Sequence, residues 1–235
     1  MSVVRMGATR RLAAVGAGLG RRSAAPSAPL APTPAASGED DAVVELPCYY
    51  SLSSPWAYLG GPQLEQIVKR HGCRLLLKPF DFQDVAPRNG GVPIRTRPQP
   101  RRSYHSEELA RWRDHLDVPL HLEPRHYPQQ MPEDPDWNKY AGWMVIAAQL
   151  EGVEGLEALA LSHALLRALW AEQRDIADPD VRIAVANAQG LDGPRLQALE
   201  TADETQAVYA VRPTVPLGRL CLLTGYVCSS DGAVL

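Results

Sequence analysis

Val43-Val44-Glu45-Leu46-Pro47-Cys48-Tyr49-Tyr50, followed after a short turn by Ser54-Pro55-Trp56-Ala57, decides the architecture of this chain. The first stretch is an apolar run of strand length, with Pro47 marking an edge or an irregular start. Ser54 is a good helix N-cap, and Pro55 suits the first helical position. The spacing predicts a helix from Pro55 to about His71 with Gly72 as its stop. Leu64, Ile67 and Val68 fall on one face of it, and Gly60-Gly61-Pro62 predicts a kink. Cys73 to Lys78 reads as a second strand. Strand, helix and strand at this spacing imply a βαβ crossover with parallel pairing. Ser54 then stands at the positive end of a helix, beside unpaired N–H groups, where an anion or a thiolate can be held.

The chain has 235 residues, 45% of them hydrophobic, and a formal charge of −3, which suits a soluble globular protein. No charge excess points to nucleic acid, and no apolar run approaches the roughly 18 residues that span a bilayer. The four cysteines, Cys48, Cys73, Cys221 and Cys228, form no C-x-x-C pair and no zinc spacing. The six histidines show no i, i+4 pair, so no metal site is expected. Free, mostly buried thiols in a reducing compartment are expected instead.

Residues 1–41 read as a leader. Up to position 38 they hold five arginines, no lysine and no acid. That composition fits a transit peptide; a disordered tail or a start codon placed too far upstream fits it as well. The location is therefore cytoplasmic, or the mitochondrial matrix if the leader is a transit peptide. Residues 42–80 form the βαβ half. Residues 81–102 read as loop, and residues 81–200 as a whole as an inserted helical block. Helices are expected over Tyr104 to Leu116, Asn138 to Leu150 and Leu156 to Arg174, with further starts at Asp178-Pro179 and Asp192. Trp112, Trp143 and Trp170 lie on apolar stripes and read as core, and His163 as a core histidine. Residues 201–235 read as an atypical tail in which Arg219 to Leu223 has the look of a strand.

Ser54-Pro55-Trp56-Ala57-Tyr58-Leu59-Gly60 resembles the opening of the 2-hydroxychromene-2-carboxylate isomerases, DsbA-like thioredoxin-fold enzymes related to kappa-class glutathione transferases. Arg97-Pro98, Arg101-Arg102-Ser103-Tyr104, Glu108 to Trp112, Val118-Pro119-Leu120, Pro124, Tyr127-Pro128, Met144 to Ala148, Trp170-Ala171-Glu172, Asp175 to Pro179 and Gly190 to Gly193 follow in the family's order. The resemblance implies an α/β fold with a thioredoxin-like βαβ core and a large inserted helical domain. It covers about residues 43–200. Beyond them Pro213-Thr214 echoes a cis-proline loop but comes early, and no Asp-Arg pair follows, so the last sheet strands are expected to be altered or missing. Ser51 stands where the family carries an acid, and Ala86 where some members carry lysine.

The resemblance also implies a site and a reaction. Glutathione is the cofactor, with Ser54 the catalytic thiolate stabiliser and Ser54, Pro55 and Trp56 holding the tripeptide. The substrate is a small aromatic hydroxy acid, opened from 2-hydroxychromene-2-carboxylate to trans-o-hydroxybenzylidenepyruvate by cis–trans isomerisation. Arg97 is the candidate cation for its carboxylate, with Arg95, Arg101 and Arg102 nearby; an Arg-rich loop is also commonly just solvated. Tyr127 is placed to bond the phenol or carbonyl, or is a half-buried loop tyrosine. A kappa-like transferase and a non-catalytic truncated member are the alternatives. A homodimer is expected, with no nucleic-acid or membrane partner. Dithiol chemistry is excluded at this turn, since Ser54 and Ala57 occupy the two positions that would carry the thiols.

Overall fold

The structure is a computed structural model that describes residues 43–88, 90–92, 94–127, 133–210 and 226–228. Strand β1 (Glu45–Tyr50) pairs in parallel with β2 (Arg74–Pro79), Glu45 opposite Arg74 and Tyr50 opposite Pro79. Helix α1 (Pro55–His71) connects them, as the sequence predicts. Both strands alternate, burying Leu46, Cys48 and Tyr50 in one and Leu75, Leu77 and Pro79 in the other. A third strand, β3 (Tyr226–Cys228), pairs antiparallel with β1 to give the order β2-β1-β3. A late strand is therefore present, only three residues long. Pro47, with no N–H to give, lies just outside the three β1 residues paired with it. Arg219 to Leu223 lies outside the described residues.

The inserted region is more helical than its composition implies. Helix α2 (Phe82–Arg88), a 3₁₀ turn (Ile94–Thr96) and helix α3 (Gln99–Leu116) occupy much of the stretch read as loop. Proline in the first turn of α3 gives up only an N–H that would have been unpaired there. Helices α4 (Tyr140–Leu150) and α5 (Gly155–Trp170) form the interior. Every residue of α4 from Ala141 to Ala148 is buried, as expected of a helix apolar on all sides. Helices α6 (Pro179–Ala188) and α7 (Gly193–Leu199) start at Asp178 and Asp192, whose carboxylates accept the N–H groups of Asp180 and Arg195. Helix α8 (Asp203–Ala210), which the sequence reading assigned to the tail, packs on α4. Two apolar positions face outward against expectation: Ile67 is 42% exposed and Trp112 is 44% exposed. Helical periodicity marks a stripe but does not say whether a neighbour covers it.

Helix α1 runs through Pro62 without a break. Pro62 has no N–H for the carbonyl four residues back, that of Tyr58. His163 on α5 fills the gap: its Nε2–H donates to that carbonyl at 3.2 Å, and its ring stacks on Tyr58 with centroids 5.2 Å apart. Glycine at 61 lets the ring come that close. A Cβ there would stand 2.4 Å from the His163 ring carbon. Gly61→Ala is accordingly expected to lower stability by about 1–3 kcal/mol. Adding His163→Ala to it should recover part of that loss, because the colliding ring is gone. Urea midpoints of the two single variants and the double variant check this.

Candidate functional site

The C-terminal ends of β1 and β2 lie side by side, joined by the Phe80 N–H donating to the Tyr50 carbonyl at 2.9 Å. That edge is where parallel α/β sheets place their sites. The turn after β1 is braced from within. Ser51 Oγ lies 3.0 Å from Ser53 Oγ, and the Ser54 N–H donates to the Ser51 carbonyl at 3.1 Å. Ser54 caps α1 in an extended conformation, with Oγ accepting the Ala57 N–H at 3.3 Å and its carbonyl accepting the Tyr58 N–H at 3.2 Å. Pro55 has no N–H. The Trp56 N–H is thus the first-turn donor left without a partner among the described residues. The cap uses acceptor capacity of Oγ and leaves its hydroxyl hydrogen free to be donated. Ser54 is half-buried, and the first turn of α1 carries no acid to compete for the positive helix end. A small anion at this tip would find one O–H, one N–H and the helix dipole, together worth on the order of 1–2 kcal/mol.

The other candidates lie in separate groups of contacts. Trp56 meets the His105 ring edge-on, centroids 5.7 Å apart. His105 in turn feels the charge of half-buried Arg97. The ring contact brings His105 beside the first turn of α1, a neighbour that sequence reasoning missed. Nothing in a lone histidine on a helix announces a ring contact 49 positions away. At the end of β2, Asp81 accepts from Asn138 Nδ2 at 2.7 Å. The neighbouring Trp137 packs edge-on against Tyr127 at 6.0 Å, and Tyr127 also lies against Trp170 at 4.9 Å. Tyr127 is half-buried in this aromatic group. Tyr58 is occupied elsewhere, its hydroxyl donating to the Pro119 carbonyl at 2.9 Å, and burial raises its pKa further. A groove of about 290 Å³ lined by Gly61, Pro62, Glu65, His163 and Arg167 runs along the flank of α1. Gly61 is seven residues past Ser54, roughly 10 Å down the axis, so this groove is distinct from the tip.

Among the described residues no group of three or more His, Cys, Asp or Glu could hold a metal ion, and no helix is long and apolar enough to cross a membrane. Burial lowers the pKa of His105, aided by Arg97, and of His163, against the pull of its bond to Tyr58. Both therefore charge more easily in the unfolded chain. Stability should be flat above the ordinary histidine range near 6.5 and fall as pH drops through it toward their lower folded values. Urea midpoints between pH 8 and 5 should show this slope, and His163→Phe should reduce it.

Residues 45–213 match the sequence profile of the DSBA-like thioredoxin domain. The chain belongs to the DSBA-like thioredoxin family. Human glutathione S-transferase kappa 1 is 28% identical over 156 residues, 66% of this chain and 66% of that protein, so the match spans just under two thirds of that relative. Among solved structures, a 2-hydroxychromene-2-carboxylate isomerase superposes with a TM-score of 0.59 at 20% identity, covering 74% of this chain and 80% of the other. The cytosolic disulfide reductase DsbM from Pseudomonas aeruginosa, solved with GSH, superposes with a TM-score of 0.52 at 19% identity, covering 75% and 80%. These likenesses fix the fold expected from the sequence: mixed α/β, with a small sheet and a large helical insertion.

Proposed function

We propose that this chain binds glutathione with its sulfur at the tip of α1 and catalyses the cis–trans isomerisation of 2-hydroxychromene-2-carboxylate to trans-o-hydroxybenzylidenepyruvate. The observation that carries the reading is the Ser54 turn, where a hydroxyl hydrogen and the Trp56 N–H are both free among the described residues at an acid-free helix start. Those donors suit a thiolate. A free thiol has a pKa near 8.5, and the 1–2 kcal/mol available here lowers it by roughly one unit. When bound, glutathione supplies a thiolate that adds reversibly to a conjugated carbon and so frees the adjacent bond to rotate. Ser54 holds the sulfur without becoming covalent. Arg97 faces the substrate carboxylate, and Tyr127 offers its hydroxyl to the phenol or carbonyl. In this reading the chain works as a homodimer in a reducing compartment, where Cys48 and Cys73 stay free thiols. That compartment is the cytoplasm, or the matrix if residues 1–38 are a transit peptide.

A kappa-like transferase is the second reading, favoured by the similarity to the human kappa enzyme. It shares the thiolate site and differs in the electrophile. One experiment separates the two. The protein is mixed with glutathione and the hydroxychromene carboxylate, and the ultraviolet spectrum is followed alongside mass analysis. Isomer with glutathione recovered intact supports the isomerase; a stable thioether supports the transferase. Failure of the folded protein to be retained on immobilised glutathione removes both and leaves a non-catalytic chain.

A further inference from the structure

The register of the sheet sets two cysteines opposite one another. In the antiparallel pairing of β1 with β3, Cys48 is the direct partner of Cys228. Residues directly opposite in such a pair have Cα atoms about 4.5 or about 5.5 Å apart, depending on their hydrogen-bonding position. A disulfide spans Cα separations of about 4.4–6.8 Å. Either position is therefore within reach of a bridge without moving the backbone. Cys73 makes the contrast. It stands one residue before Arg74, which pairs with Glu45. That end of β1 is roughly 10 Å from Cys48, beyond the limit of about 7 Å for a bridge. Cys48 has no exposed area, and a thiol buried in apolar surroundings is normally inert. Its route to an oxidant is β3. That strand is three residues long and, among the described residues, pairs with β1 alone. So short a strand opens locally at little cost, while β2 holds the whole of β1 from the other side. The three residues that β3 covers, Cys48 to Tyr50, lead directly into the turn before Ser54.

We propose that Cys48 and Cys228 are a reversible thiol–disulfide pair that latches β3 to β1 when the surroundings turn oxidising. The oxidant is a small-molecule disulfide, and oxidised glutathione serves. The thiolate of one cysteine attacks a sulfur of that disulfide, forming a mixed disulfide and releasing one glutathione thiolate. The thiolate of the other cysteine attacks the protein sulfur of the mixed disulfide, forming the bridge and releasing the second glutathione thiolate. The protein gives up two electrons and two thiol protons, and the two released thiolates take up the protons as glutathione. Excess glutathione reverses both steps, so in a reducing compartment the pair rests as two thiols. The bridge closes a loop that contains most of the folded chain, and in the chain-entropy account long loops gain most from such a link. The latch is independent of the function proposed above, since oxidised glutathione acts on it from solution without using the Ser54 turn.

The test equilibrates the full chain in mixtures of glutathione and glutathione disulfide, quenches with acid, alkylates the remaining thiols and reads the products by mass spectrometry. The expected product carries no glutathione, has Cys73 and Cys221 alkylated, and yields a fragment in which Cys48 is joined to Cys228. Cys221→Ser should keep the bridge, and Cys228→Ser should lose it. Oxidation should raise the urea midpoint of the parent by about 1 M and leave that of Cys228→Ser where it was. If Cys228→Ser fails to fold, the fragment from the parent decides. A bridge through Cys221 or Cys73, or glutathione adducts alone at every ratio, overturns the latch. A bridge that forms only once urea has unfolded the chain overturns it as well, because the native register would not be its cause.

Discussion

Replacing Arg182 with methionine is expected to destabilise the protein by about 3–5 kcal/mol. Both members of the Arg182–Glu200 pair have side chains only 2% exposed. Arg182 Nε and Nη2 reach the two oxygens of Glu200 at 2.7 and 2.6 Å, a bidentate grip. Nη1 donates to the carbonyls of Ile176 and Ala177 at 2.9 and 2.8 Å, which ties the loop before α6. The guanidinium also lies 4.9 Å from the centre of the Tyr140 ring on α4. One side chain therefore joins α4, α6 and the end of α7. Arg182→Met fills similar volume but strands a buried carboxyl and two carbonyls. Burial already raises the pKa of Glu200 while Arg182 pulls it down; without the arginine the carboxyl should protonate to stay inside. The variant should consequently lose stability as pH rises through that elevated value, which chemical denaturation at pH 5 and pH 8 would show. The double variant Arg182→Met, Glu200→Leu should regain most of the loss, since an apolar pair of similar volume leaves no stranded charge. A single variant as stable as the parent would show that the pair is dispensable.

What could be read in the sequence follows from where information is local. Ser54-Pro55, Asp178-Pro179, Asp192 and Gly72 mark helix ends by side-chain chemistry within a few residues, and the structure places helix ends at each. The alternation of β1 and β2 is equally local. Contacts between distant segments leave no such mark. Arg182 and Glu200 look like ordinary charged residues on helix faces, though they are the most deeply buried ion pair described. His163 could be read as a core histidine, but not as the donor that makes good the hydrogen bond missing at Pro62. Ile67 and Trp112 have the right spacing for burial, yet among the described residues no element covers them fully. The stretch over 81–102 misleads for a different reason. Proline and arginine suggest loop by composition, while proline is tolerated in the first turn of α3. Ser54 is legible as a candidate because its position after the first strand of a βαβ unit is itself local. Arg97 needed the family resemblance, and the contact of Trp56 with His105 needed coordinates.

Ser54→Ala should cut glutathione-dependent turnover ten-fold or more with the fold intact. The hydroxyl supplies one hydrogen bond to a charged sulfur, and losing 1.4 kcal/mol of thiolate stabilisation is already a factor of ten. The same substitution removes the bond from the Ala57 N–H, costing about 1 kcal/mol of stability, so a drop in turnover alone is ambiguous. Two further readouts separate cap from chemistry. The acid limb of the pH–rate profile should move up in Ser54→Ala, because the thiol ionises later; a mere loss of cap would scale the rate without moving the limb. Ser54→Asp supplies the opposite control. Aspartate caps a helix as well as serine does, so stability should hold, but its negative charge occupies the place proposed for the sulfur and repels it. Turnover should then fall further than in Ser54→Ala despite the better fold. Parent-like turnover in both variants would remove Ser54 from the mechanism, and with it the reason for placing glutathione at the start of α1.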